Sequence, residues 1–184
     1  VEKTLELAQN RDSFSIAEIG TGCGAIAISL ALNLPQTKIY ATDISPPALE
    51  VARINCEKHG VTRGIHLLQG DLLDCLPKPV DLIVANLPYV GRTDALTNRF
   101  EPSLALDGGP GGTDEIERLC RQAAGKLRPG GVLLLEIGQG QDEDITGLVR
   151  GLLPGSVVAI TPDLAGIPRV VSAVLPAVHT APCG

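Results

Sequence analysis

Three closely spaced glycines, Gly20, Gly22 and Gly24, lie between an apolar segment with a strand pattern and one with a helix pattern. Residues 15–20 are typical of a strand, and residues 24–34 form a small-residue helix that Pro35 stops. Glycine lets a backbone turn tightly and approach a ligand closely. The N-terminus of the following helix offers free N–H groups and partial positive charge, which suit a carboxylate or a phosphate. The sequence therefore predicts a ligand-binding turn between a strand and a helix.

The other elements alternate between strand and helix. The pattern predicts further strands at 38–43, 65–69, 80–85, 132–137, 157–161 and 170–174, and further helices at 1–10, 46–59, 113–127 and 142–153. This alternation indicates an α/β fold, a mostly parallel seven-stranded sheet with helices on both faces. Only a short loop separates the last two strands, so the C-terminal strand is expected to be antiparallel. Residues 86–112 are rich in Gly and Pro and are predicted to form a long functional loop.

Composition narrows the class of protein. A chain of 184 residues with 44% hydrophobic and 20% charged residues fits one globular domain. The net charge of −6 and the four aromatic residues make direct nucleic-acid binding unexpected. The five cysteines have no CxxC spacing and the three histidines match no ligand pattern, so we expect no metal site and a reducing cytoplasmic location. No apolar run is long enough to span a membrane.

Two acidic residues lie at or just beyond the carboxyl ends of predicted strands. Asp43 can accept hydrogen bonds from both hydroxyls of a ribose, although it could instead cap the next helix. Asp71 can accept from an adenine amino group while Leu72 lies against the ring, although Asp after Gly is also common in turns. A dinucleotide site remains open at this point, because Gly20, Gly22 and Ala25 also fit the G-x-G-x-x-A pattern.

The sharpest motif is Asn86-Leu87-Pro88-Tyr89, after the strand at 80–85. The Asn86 side chain can accept from one N–H of an amide or amine, and the Leu87 carbonyl, held outward by Pro88, can accept from the other. Tyr89 offers a flat surface for a planar amide or base. The motif thus predicts a site that orients an –NH₂ group toward an electrophile. The alternative is an asparagine that only caps a strand end.

With these motifs in place, the sequence resembles the class I methyltransferases, which use S-adenosylmethionine and have a Rossmann-like fold. Within them it is similar to the release-factor glutamine methyltransferases of the HemK/PrmC type. The Glu-Pro-x-x-Ala-Leu-x-Gly-Gly stretch within residues 100–109 is the most specific part of the likeness. The likeness also rests on the glycine turn, Asp43 with Ala48-Leu49-x-x-Ala52 and Asn55, Asn86–Tyr89, Leu133–Gly138, Asp163–Gly166 and Arg169–Val171.

The resemblance implies a site for S-adenosylmethionine, with S-adenosylhomocysteine as product. The implied cofactor-binding residues are Glu18, Gly20, Thr21, Gly22, Cys23, Gly24, Asp43, Ile44, Asp71, Leu72 and Asn86. The implied catalytic residues are Asn86, Leu87, Pro88 and Tyr89, which would hold the side-chain amide of a glutamine in the Gly-Gly-Gln loop of a peptide chain release factor. Glu101 and Pro102 would shape the loop beside them. A cytoplasmic, monomeric enzyme is expected.

The sequence departs from this family in two respects. The family usually has Asn-Pro-Pro-Tyr where this chain has Leu87 after Asn86. Asn-Leu-Pro-Tyr also occurs in the rRNA adenine dimethyltransferases, so an N6-adenine methyltransferase acting on RNA or DNA is the alternative. A nicotinamide-dependent oxidoreductase is a weaker alternative. The family also carries an N-terminal substrate-recognition domain, so residues 1–184 are expected to be the catalytic domain without it.

Overall fold

The computed structural model describes residues 1–9, 13–87 and 113–177, which form one sheet flanked by helices. The strands are β1 (Ser15–Ile19), β2 (Lys38–Asp43), β3 (Ile65–Gln69), β4 (Val80–Ala85), β5 (Leu127–Glu136), β6 (Val157–Pro162) and β7 (Pro168–Val174). The helices are α1 (Glu2–Ala8), α2 (Ala25–Asn33), α3 (Pro46–Lys58), α4 (Asp114–Lys126) and α5 (Asp142–Leu152). Within these residues, no helix has the length and apolar character needed to cross a membrane.

The sheet has seven strands in the order β3-β2-β1-β4-β5-β7-β6. Neighbours from β3 to β5 are parallel, whereas β7 is antiparallel to both β5 and β6. The predicted mostly parallel sheet with an antiparallel C-terminal strand is therefore confirmed. The order reverses between β1 and β4, and open α/β sheets bind ligands beyond the carboxyl ends of the strands at such a point.

Helices cover both faces of the sheet, because consecutive strand residues alternate between two cores. Ile16 and Leu134 pack with residues of α1, α2 and α3. Their neighbours Ala17 and Leu133 pack with residues of α4 and α5. The central strands are buried on both sides, which explains why their sequences are continuous apolar runs.

The predicted boundary before β5 was wrong. The strand was expected to begin at residue 132, but it begins at Leu127, which pairs with Val80 before an irregularity in the ladder. The sequence between them contains Pro129, Gly130 and Gly131, and Gly130 has a φ of 73°. A Pro-Gly-Gly run is typical of a turn, so the pattern hid the first residues of the strand.

An ionic cluster joins the amino ends of β1, β4 and β5, opposite the ligand edge. Asp81 Oδ2 accepts from the backbone N–H of Ser15 at 2.9 Å and from its hydroxyl at 2.6 Å. The Arg128 guanidinium donates to both Asp81 oxygens, at 2.9 and 2.8 Å. Partial burial would raise the pKa of Asp81, but the hydrogen bonds from Ser15 and Arg128 outweigh it and hold the pKa below its usual range.

Asp81→Asn should lower the free energy of unfolding by about 1 to 3 kcal/mol, because it removes the charged acceptor that three donor groups of Ser15 and Arg128 share. The lowered pKa of Asp81 means that its contribution is present above the unfolded-state value of about 4 and is lost as the pH falls through the folded-state value. Urea unfolding at neutral and acidic pH measures both effects.

Asp144→Asn is the matched control, since Asp144 is exposed on α5. Equal stability of Asp81→Asn, Asp144→Asn and the unsubstituted chain at neutral pH would show that the cluster does not stabilise the fold.

Candidate active site

The glycine turn leaves β1 at the point where the strand order reverses. Gly20, Gly22 and Gly24 have φ angles of 70°, 53° and 83°, a region that side chains disfavour. The Thr21 N–H donates to the Thr42 carbonyl at 2.9 Å, which ties the turn to the end of β2. Each glycine thus meets a backbone requirement, as the spacing predicted.

The first and last glycines also allow close packing, whereas the middle one faces open space. A Cβ at Gly24 would lie 3.3 Å from Ala52 Cβ and from Ile28 Cδ1. A Cβ at Gly20 would lie 3.3 Å from Leu87 Cδ2, and one at Gly22 would meet nothing within 4 Å. The turn therefore packs on α3 and on the end of β4 and leaves room on the side of Gly22.

Glu18 is a buried carboxylate beneath this turn. Its Oε2 accepts from the Thr21 hydroxyl at 2.6 Å and from the Ala27 N–H at the start of α2 at 3.0 Å. Burial raises the pKa of Glu18 to about 7 against the lowering effect of these two hydrogen bonds, and the nearby Asp43 carboxylate adds to the rise. Both bonds end on Oε2, so Oε1 has no partner among the described residues.

Asp43 closes the turn from the side of β2. Its Oδ2 accepts from the Gly22 N–H at 2.8 Å, and its Oδ1 accepts from the Ser45 N–H at 2.9 Å. Ser45 is itself the N-cap of α3, with its hydroxyl 3.4 Å from the Ala48 nitrogen. Asp43 therefore supports the start of the helix as well as the turn. Each of its oxygens has a further lone pair for a ligand hydroxyl.

The segment after β3 brings a second carboxylate to the same edge. Asp71 is half-buried and forms an ion pair with Arg118 of α4. Leu72 is buried and has a φ of 51°, which is rare for a side chain with a Cβ. The Thr42 hydroxyl donates to its carbonyl at 3.1 Å and so holds this conformation against β2.

The end of β4 carries the predicted acceptor-binding motif. Asn86 is exposed, and its side chain forms no hydrogen bond to any described residue. Leu87 is buried against the glycine turn. The predicted residues Pro88, Tyr89, Glu101 and Pro102 lie outside the described residues, as do all of residues 88–112.

These groups surround a cavity of about 600 Å³ at the carboxyl ends of β1 to β4. Nine of the predicted site residues line it, namely Gly20, Gly22, Cys23, Asp43, Ile44, Asp71, Leu72, Asn86 and Leu87. The predicted residues Glu18, Thr21 and Gly24 do not line it and instead support the turn. Asn86 also borders a second cavity of about 50 Å³, which Thr4 of α1 and Glu136 of β5 help to line.

Sequence reasoning missed several lining residues. Glu115 and Arg118 come from the first turns of α4, and Ala48 and Val51 come from α3. The sequence predicted a helix at 113–127 but not the cavity beside which it packs. Among the described residues, no cluster of three His, Cys, Asp or Glu side chains could hold a metal ion.

Comparison with known proteins gives a consistent assignment. Residues 4–101, more than half of the chain, match the family described as methyltransferase small domain. Release factor glutamine methyltransferase from Moorella thermoacetica is 47% identical over 92% of this chain and 62% of its own length. The protein of that name from Cereibacter sphaeroides is 39% identical over 96% of this chain and 65% of its own length.

The fold also matches solved structures. The crystal structure of TrmN from Thermus thermophilus superposes with a TM-score of 0.68 and 25% identity, over 95% of this chain and 47% of that one. This chain spans a little under two thirds of the length of the two curated relatives. The matched family model, the strand order and the position of the cavity agree, and the chain belongs to the methyltransferase small domain family.

Proposed function

We propose that this chain is the catalytic domain of an enzyme that transfers a methyl group from S-adenosylmethionine to the side-chain amide of a glutamine in a peptide chain release factor. The observation that carries the proposal is the position of Asn86, exposed at the rim of the large cavity with its side-chain acceptor unused by the described residues. The curated relatives, named for this activity, support the choice of substrate. Release factors act in the cytoplasm, where unpaired cysteines also remain reduced.

The cavity suits the proposed cofactor in size and donor set. A volume of about 600 Å³ lies within the usual range for small-molecule sites. The open space at Gly22 lets a ligand approach the backbone closely, and the start of α2 adds partial positive charge for a carboxylate. Glu18 lies behind the turn with Oε1 unpartnered among the described residues, and its ionised form favours a ligand ammonium group. S-adenosylmethionine supplies the methyl group, already activated on a sulfonium.

The nucleoside half would lie along the ends of β2 and β3. Asp43 retains acceptor capacity for ribose hydroxyls while it holds the Gly22 and Ser45 N–H groups. Ile44 is 56% exposed although it is a large hydrophobic residue at the cavity wall. A flat purine between Ile44 and Leu72 would remove that apolar surface from water. Thr21, Cys23 and Gly24 would shape the turn that holds the cofactor.

The acceptor amide would be held by two oxygens at the end of β4. Asn86 Oδ1 accepts one N–H of the glutamine –NH₂, and the Leu87 carbonyl accepts the other. An amide nitrogen is a weak nucleophile, so alignment with the S–CH₃ bond is the main contribution of these residues. The glutamine nitrogen forms the N–C bond as the C–S bond breaks with its electron pair going to sulfur, and the same two oxygens stabilise the positive charge that develops on nitrogen. The surplus proton is released to water. Pro88 and Tyr89 would form the walls of the slot.

The alternative acceptor is an adenine amino group in RNA or DNA. It presents an –NH₂ group to the same two oxygens, and Leu87 in place of proline favours it. A flipped base needs stacking surface, and the chain has two Tyr, two Phe and no Trp. The identity to glutamine methyltransferases over most of the chain favours the glutamine acceptor.

Asn86→Ala should lower kcat with a release factor by about 100-fold to 1,000-fold, because it removes one of two groups that stabilise the developing charge. The affinity for S-adenosylhomocysteine should change little in comparison. Steady-state kinetics and calorimetric titration measure the two quantities. Asn33→Ala is the matched control, since Asn33 is exposed at the end of α2 and lines neither cavity. Turnover by Asn86→Ala close to that of Asn33→Ala would refute the role of Asn86.

Glu18 predicts a pH dependence of cofactor affinity. Its pKa of about 7 means that the free protein carries a neutral Glu18 below that pH. A bound ammonium group favours the ionised form, so affinity should rise with pH up to about 7 and then level off, by at most about tenfold per pH unit. Glu18→Gln should bind S-adenosylhomocysteine more weakly at pH 8 and lose this rise.

Titration calorimetry from about pH 5.5 to about pH 8 measures the affinity of the unsubstituted chain and of Glu18→Gln for S-adenosylhomocysteine. Glu143→Gln, an exposed change on α5, should keep the rise seen in the unsubstituted chain. A rise that survives in Glu18→Gln would assign the titration to another group.

A further inference from the structure

Three side chains of α4, spaced four residues apart, bind residues 71–76, the segment that follows β3. Arg118 donates to Asp71 Oδ2, Gln122 Oε1 accepts from the Leu73 N–H at 2.8 Å, and Lys126 Nζ donates to the Leu76 carbonyl at 2.9 Å. Residues at this spacing lie on one face of a helix. The contacts of Gln122 and Lys126 fix the backbone of the segment. Arg118 is the one of these three residues that lines the large cavity.

Arg118 also binds Glu115, which lies one turn earlier on α4. Its Nη1 donates to both oxygens of Glu115, at 3.0 and 2.9 Å, while its Nη2 donates to Asp71. Glu115, Arg118 and Asp71 all line the cavity. The guanidinium is planar, so the bonds from Nη1 to Glu115 also fix the direction of the Nη2–H group that donates to Asp71.

The ion pair decides which oxygen of Asp71 is available to a ligand. Asp71 is half-buried, and Arg118 is the one residue among those described that forms a hydrogen bond with its carboxylate. Arg118 engages Oδ2, so Oδ1 is left without a hydrogen bond to any described residue. An oriented carboxylate oxygen accepts hydrogen bonds and repels a ligand oxygen at the same place.

We propose that Arg118 is a positioning residue that aims Asp71 Oδ1 at the amino group of a bound adenine and so makes the site prefer adenine to a 6-oxopurine. The inference deepens the proposed function, because it rests on a nucleoside at the end of β3. Adenine presents an N–H donor at C6, whereas hypoxanthine presents a carbonyl oxygen there. The Glu115–Arg118–Asp71 triad therefore acts on base selectivity and takes no part in methyl transfer.

The test compares the binding of S-adenosylhomocysteine and S-inosylhomocysteine by calorimetric titration. Arg118→Gln should lower the ratio of the two affinities by about fivefold, the size expected for a half-exposed ion pair. Affinity for the inosine compound should fall less than affinity for the adenosine compound. Arg118→Lys should keep part of the preference, because an ammonium group can pair with Asp71 without the planar fork. Arg121→Gln should keep all of it, since Arg121 pairs with Glu117 and does not line the cavity.

A double-substitution cycle distinguishes the positioning of Asp71 by Arg118 from a general disturbance of the site. Asp71→Asn should lose the preference by itself, and Arg118→Gln should then cause no further loss. An equal loss of affinity for both compounds in Arg118→Gln, or no loss for either, would overturn the role of Arg118 while leaving the cofactor proposal intact. Failure of the unsubstituted chain to bind S-adenosylhomocysteine would overturn both.

Discussion

The parallel pairing of β1 with both β2 and β4 is the constraint on which the site depends. Parallel strands end at the same edge of a sheet, so the segments that follow β1, β2 and β4 begin side by side. In open α/β sheets such a reversal of strand order places the ligand crevice at the carboxyl ends of the strands. The glycine turn, Asp43 and Asn86 are far apart in sequence, and this pairing alone brings them to one cavity. The antiparallel β7 lies beyond β5 and leaves this edge unchanged.

In the turn after β1, glycines that pack against the protein alternate with a glycine that faces the cavity. Gly20 and Gly24 allow close packing against Leu87 and Ala52, and Gly22 opens toward the cavity. Glu18 joins the turn to α2 from below, and Asp43 holds it from the side. Two carboxylates thus stabilise a backbone of unfavourable φ angles, and the burial of one of them raises its pKa to about 7. In their ionised forms these two carboxylates also attract a cationic ligand.

Local patterns predicted the order of elements and the members of the turn, because strand ends, glycines and acids are adjacent in sequence. The start of β5 was missed because Pro129 and Gly130 suggest a turn, whereas tertiary pairing with β4 extends the strand through them. The Arg118–Asp71 and Arg128–Asp81 pairs each join residues 47 apart in sequence. No local pattern encodes such contacts, since they depend on how α4 and β5 pack against the sheet. Asp71 was predicted as a ligand-binding acid, but its partner could come only from the three-dimensional structure.

The most direct test of the account is methyl transfer from labelled S-adenosylmethionine to three acceptors. These are a release factor, the same factor with Gln→Ala in its Gly-Gly-Gln loop, and undermethylated rRNA. The release factor glutamine methyltransferase of Moorella thermoacetica serves as the positive control. The account predicts label in the unsubstituted release factor and in neither of the other two. Label in rRNA, or label that persists after the Gln→Ala change, would contradict it and would make Leu87 the residue that indicates the substrate.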